Sequence, residues 1–132
     1  MRRRIVIVVA AILIVLMAVP ASASVTPRFS YTDYVYARLE IDDFWGIATC
    51  VGEAAAYEFV PVEITVHLQV YKDGAWQTVK SWYASDIMNV YLNKQYAIYR
   101  GYEYRTYVVG YVYNSSGSLV EIVDVVDTKW YN

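Results

Sequence analysis

His67 is the single histidine and Cys50 the single cysteine of the 132-residue chain. Together they bound the chemistry that side chains can supply. A Ser-His-Asp or Cys-His arrangement for nucleophilic catalysis has to use His67 as its base. His67 stands between Val66 and Leu68 in a run where apolar and polar residues alternate. That spacing places it on the polar face of a strand and accounts for it without catalysis. A zinc site needs three or four nitrogen and sulfur ligands, which one histidine and one cysteine do not provide. Calcium needs clustered oxygens; Asp42-Asp43 and Asp124 with Asp127 are the only candidates, and neither follows a calcium-loop spacing. They read as solvated acids. No pair of carboxylates stands out for glycoside hydrolysis, which also needs a substrate cleft between its two acids. The six glycines are scattered, so no phosphate-binding loop is present. The expectation is a protein that is not an enzyme and uses no metal or cofactor.

Cys50 excludes an intramolecular disulfide. A lone cysteine in an exported chain is either buried and inert or open to intermolecular pairing. Burial is expected, since free cysteine is among the most buried residue types.

The aromatic residues are the informative excess, with 15 tyrosines and four tryptophans. Rings exposed on a flat sheet present apolar faces that stack on the C–H faces of a sugar, while their polar ends hydrogen-bond. The placement of these rings depends on one hairpin. Val62, Ile64, Val66, Leu68 and Val70 alternate with Glu63, Thr65, His67, Gln69 and Tyr71. Asp73-Gly74 follows, the sequence of a two-residue type I′ turn. On that register Tyr71 pairs with Trp76, Gln69 with Thr78, His67 with Lys80 and Thr65 with Trp82. Val79 then joins Leu68 in the core, and Tyr71, Trp76 and Trp82 share the polar face. Tyr107, Tyr111 and Tyr113 occupy one face of a later strand and extend the surface. A longer loop with a bulge reverses the assignment and sends Trp76 and Trp82 inward. The same tyrosines also serve simply as cover over a sheet.

Seven strands or so must position these groups. Val35–Ile41 alternates, with Ala37, Leu39 and Ile41 on one face. Asp42-Asp43 makes a turn, and Trp45–Glu53 follows with the small residues Ala48, Cys50 and Gly52 on one side. After Val62–Lys72 and Trp76–Tyr83 come two weaker strands, Met88–Leu92 and Tyr96–Tyr99, around Asn93-Lys94. Tyr102–Tyr113 and Leu119–Trp130 complete the set, joined by the turn Asn114 to Gly117. Gly52–Tyr57, around three alanines, is the one stretch that tempts a helix, and it is too short to stand alone. Many short strands at even spacing predict an all-β, antiparallel two-sheet sandwich.

Residues 1–23 read as a secretory signal peptide. Arg2, Arg3 and Arg4 precede an apolar run from Ile5 to Val19, and Pro20 and Ala21-Ser22-Ala23 supply a small-x-small cleavage site. The run falls short of the ~20 residues that span a bilayer. Cleavage leaves a single domain, 24–132, secreted to the extracellular space and with no remaining membrane segment. The leader removes three of the 11 basic residues against 13 acidic ones in the chain. The remainder is acidic, which gives no reason to expect nucleic acid or an anionic membrane as partner.

Two resemblances add to this reading. Cys50 lies where an immunoglobulin-type domain has its first core cysteine, and Gly101-Tyr102-Glu103-Tyr104-Arg105-Thr106 is similar to the start of strand F. Tyr104 then stands as a tyrosine corner, with Thr106 in place of the second cysteine. This likeness concerns topology and implies no function. The mature chain also resembles a group of small secreted proteins of Gram-positive bacteria with no assigned activity. The residues carrying that likeness are Val25-Thr26-Pro27-Arg28-Phe29-Ser30, His67 through Trp76, Lys80-Ser81-Trp82 and Gly101 to Arg105. It implies a compartment and a fold, and no catalytic residue. The expected function is non-catalytic binding of a carbohydrate or an extracellular protein through an aromatic sheet face. The alternative is a structural or self-assembling surface protein that uses strand edges.

Overall fold

The strict alternation in the middle of the chain decides the architecture. The computed structural model describes residues Phe29 to Asn132, so the signal-peptide reading of residues 1–23 lies outside the described residues. Seven strands are present among the described residues: β1 (Thr32–Asp42), β2 (Ile47–Ala56), β3 (Pro61–Lys72), β4 (Ala75–Ile87), β5 (Asn89–Ala97), β6 (Tyr102–Tyr113) and β7 (Leu119–Tyr131). They form two antiparallel sheets, ordered β1-β2-β5 and β4-β3-β6-β7. The fold is therefore the all-β two-sheet sandwich that the strand spacing predicts.

β3 sits at the centre because its inward residues are uniformly apolar. Val62, Ile64, Val66 and Leu68 are fully buried, and Leu39, Ala48, Cys50, Ala54, Val108 and Val112 meet them from the other strands. The small face of β2 lets the sheets approach closely. A Cβ added at Gly52 would lie 2.5 Å from Val66 Cγ2 and 3.0 Å from Val108 Cγ2. Cys50 is buried, and burial pushes its thiol pKa up; the Thr106 hydroxyl across the core acts in the opposite direction. Thr106 Oγ1 has no partner of ordinary hydrogen-bond geometry, so its contact with the thiol is a weak one. Nearby, the Tyr104 hydroxyl donates to the Tyr99 carbonyl at 2.9 Å and accepts the Tyr99 N–H at 3.0 Å. This pins the β5–β6 loop and satisfies two backbone groups that turn inward.

Two further devices close the sandwich. Asp127 of β7 accepts the backbone N–H of Leu39 at 2.7 Å, and Glu121 accepts those of Tyr31 and Thr32. Carboxylates on one sheet thus satisfy backbone donors along the edge strand of the other. At Met88 (φ 67°) the chain crosses between sheets, stitched by Ala56 N–H to Met88 O and Met88 N–H to Val60 O, both 2.8 Å.

β5 corrects one expectation. The two short strands expected around Asn93-Lys94 are a single strand, with Val51 opposite Asn93 and Cys50 opposite Lys94. The ladder supplied by β2 carries these polar residues through a strand that their own propensity does not favour.

Candidate binding face

The outer face of the four-stranded sheet is built from the polar half of each alternation. Asp73 (φ 54°) and Gly74 (φ 78°) form the two-residue turn with both central residues at positive φ, as the sequence predicts. Tyr71 lies opposite Trp76 and Gln69 opposite Thr78, also as predicted. The register then shifts: Leu68 pairs with Lys80, His67 with Ser81, Val66 with Trp82 and Thr65 with Tyr83. Val79 is the unpaired residue of a β-bulge, half exposed at the sheet edge rather than placed in the core beside Leu68.

That one residue moves Trp82. It lies opposite inward-facing Val66, packs against the core, and meets Tyr96 edge-on at 6.5 Å. The expectation that Trp76 and Trp82 share a face is therefore wrong, and Tyr83 takes the outward place assigned to Trp82. The other expected residues do share the outer face. Tyr71, Trp76, Tyr107, Tyr111 and Tyr113 come together there, all at least partly exposed.

Tyr71, Trp76 and Tyr107, with Arg105 and His67, form a continuous row. Tyr71 meets Trp76 edge-on at 5.3 Å; the Arg105 guanidinium lies 4.3 Å from the Trp76 ring centre and 5.5 Å from that of Tyr107; Tyr107 stacks on His67 at 5.7 Å. Arg105 Nε donates to Gln69 Oε1 at 2.7 Å, and Gln69 Nε2 in turn donates to Thr78 at 3.1 Å. Among the described residues no carboxylate lies within ion-pair distance of Arg105, and the ion pair there is Arg38–Glu40 at 3.3 Å. Further along, Tyr107 donates to Asp124 and Tyr113 to Glu63, each at 2.9 Å. These carboxylates raise the phenol pKa values of Tyr107, Tyr113 and Tyr83, the last also through a hydrogen bond to Glu63.

Chemically, the row offers ring faces, a guanidinium with a neutral partner, and phenols ordered by carboxylates. His67 Nδ1 lies 2.6 Å from Ser81 Oγ, a separation compatible with a base and its nucleophile. The pair faces an open sheet, however, and none of the hydrogen bonds among the described residues joins the other ring nitrogen to a carboxylate. Burial lowers the His67 pKa, which favours the neutral ring. No group of three or more His, Cys, Asp or Glu among the described residues is placed to hold a metal.

Sequence reasoning missed Arg105 and Gln69 as members of the row. The signal was available for both. Arg105 is two residues from Tyr107 and Gln69 two from Tyr71, so each shares its neighbour's face. Trp130 and Val126 on β7, exposed on the same face, were also missed because only pairing with β6 brings them there. No model of a known protein family matches the chain, and no curated protein matches it.

Proposed function

We propose that the chain is exported, that residues 1–23 are removed, and that the remaining domain is a non-catalytic module binding an extracellular glycan on this face. The observation that carries the reading is the unbroken row Tyr71–Trp76–Arg105–Tyr107–His67. Ring faces and guanidinium fit the two surfaces of a sugar, apolar C–H and hydroxyl, and the arrangement is held before any ligand arrives. Glu63, Glu103 and Asp124 share the face with Arg105, so an uncharged glycan suits it better than an anionic one. The strand order, the Tyr104 corner and the Cys50–Thr106 pairing support an immunoglobulin-like classification.

Titration calorimetry with soluble cello- and chito-oligosaccharides, and pull-down on purified peptidoglycan, test the binding. Arg105→Ala and Tyr107→Ala should each weaken a positive result about tenfold or more. Binding to none of these probes, or binding indifferent to both substitutions, would overturn it. Mass spectrometry of exported material should find Ser24 at the N-terminus; an intact leader in the membrane fraction would overturn the export reading.

A further inference from the structure

The turn between β1 and β2 presents two aromatic rings to solvent. Phe44 is 83% exposed and Trp45 71%, and their rings meet edge-on at 4.9 Å. The two adjacent rings, with Tyr99 nearby, form a contiguous apolar patch, and it is such patches, rather than single exposed rings, that mark contact surfaces. The turn is also braced. Asp42 Oδ1 accepts the N–H groups of Phe44 and Trp45, both at 3.0 Å, and Asp42 O accepts that of Gly46 at 2.9 Å. Gly46 adopts φ 64°, and an added Cβ would lie 3.2 Å from both Ile98 O and Tyr131 Oη. Ile98 N–H donates to Gly46 O at 2.8 Å, while Tyr131 and Arg100 both donate to Asp43 O. The rings are therefore carried on a backbone that has little freedom left to lose on binding.

Beside this tip lies a cleft of about 720 Å³, between the ends of β3, β4, β5 and β6. Val70, Val79, Tyr96, Tyr99 and Tyr102 line it, and Tyr99 is 81% exposed. Lys72 stands at its wall, its ammonium 5.6 Å from the Tyr102 ring centre and outside ion-pair distance of any carboxylate among the described residues. The segment Ile98 to Arg100 braces the tip and also lines the cleft, so the two features sit side by side on one end of the sandwich.

We propose that this end joins two copies of the chain, with Phe44 and Trp45 of each copy seated in the cleft of the other. A protrusion and a matching recess on the same surface make a self-complementary contact that closes at two copies. The charges agree: Asp42 and Asp43 flank the rings, and Lys72 flanks the cleft. The same acids count against an anionic lipid surface as occupant. This inference does not depend on the sheet-face reading, because the outer aromatic row remains open in such a dimer.

Sedimentation velocity on residues 24–132, which include the entire sandwich, tests it from about 1 to about 200 µM. A reversible monomer–dimer equilibrium is expected. Phe44→Ala, Trp45→Ala and Lys72→Glu should each weaken it about tenfold or more, with a melting temperature unchanged at dilutions where the chain is monomeric. The charge exchange Asp43→Lys with Lys72→Glu should recover part of the loss. A monomer throughout the range, or a dimer indifferent to all three substitutions, would overturn the proposal. Binding of a monomeric chain to phosphatidylcholine vesicles, lost in Trp45→Ala, would overturn it in favour of a lipid role for the tip.

Discussion

Trp76 and Trp82 stand six residues apart on β4, yet they belong to different regions of the molecule. Trp76 lies on the outer face, held between Tyr71 and Arg105. Trp82 lies on the inner face, against Tyr96 and the core. An even separation along a regular strand puts two side chains on one side. The unpaired Val79 between them makes it odd in effect. The comparison shows that one extra residue at a sheet edge decides whether an aromatic ring serves the core or a surface. It also shows why a ligand-binding argument built on ring counts is fragile until the register is known.

Four substitutions break or sharpen that contrast, and a fifth measurement extends it to pH. Leu68→Ala truncates a fully buried residue beside the bulge and should cost about 2–5 kcal/mol in denaturant unfolding. Trp82→Ala should follow at about 2–3 kcal/mol, less than full burial would give because the ring is only partly covered. A cost under about 0.5 kcal/mol, the usual level for a surface change, would place Trp82 outside after all. Gly52→Ala should cost about 1–3 kcal/mol by overpacking, since Val66 and Val108 already occupy the space its methyl needs. An unchanged midpoint would mean that the sheets separate there at little cost. Trp76→Ala should cost about 1 kcal/mol or less, the scale of one cation–π contact on a half-exposed ring. If it proves as destabilising as Trp82→Ala, the two faces do not differ in the way the register implies.

The smallest expected effect is alkaline. Burial raises the pKa values of Cys50 and Tyr104 in the folded chain. Their contribution to stability is complete below the unfolded values, about 8.5 for a cysteine and about 10 for a tyrosine. It is lost as pH rises from those values through the folded ones, because the unfolded chain releases its protons first. Stability measured from pH 7 upward should therefore fall, and Cys50→Ala should remove the earlier part of the decline. A profile that rises with pH in this window would contradict the burial of both groups.

Much of the fold was legible residue by residue. β6 runs from Tyr102 to Tyr113, as its alternation and the flanking Gly101 and Asn114 predict, and β3 differs from expectation by one residue. Tyr104, at the start of that strand, bonds the backbone of Tyr99 five residues back, a local contact. The candidate face was half legible. Tyr107, Tyr111 and Tyr113 share a strand and so a period, and Arg105 shares their face; what the strand alone does not give is its contact with Trp76 on another strand. The exposed tip was legible only as the turn at Asp42-Asp43. Trp45 reads as the start of a strand, and nothing local shows that Asp42, Tyr131 and Arg100 will hold the turn open with both rings outward.

By itself the sequence determined what short-range sterics and alternation control: the strands, the Asp73-Gly74 turn, and which residues of β3 face inward. Five apolar residues at a period of two permit only one side to be buried. The tertiary structure decided what depends on partners distant in the chain. β2 made a strand of Asn93-Lys94, Glu121 and Asp127 capped an edge they reach only across the sandwich, and β3 fixed where β4 bulges. Those outcomes rest on the balance of pairing and packing between strands, a sum over contacts that no single segment contains.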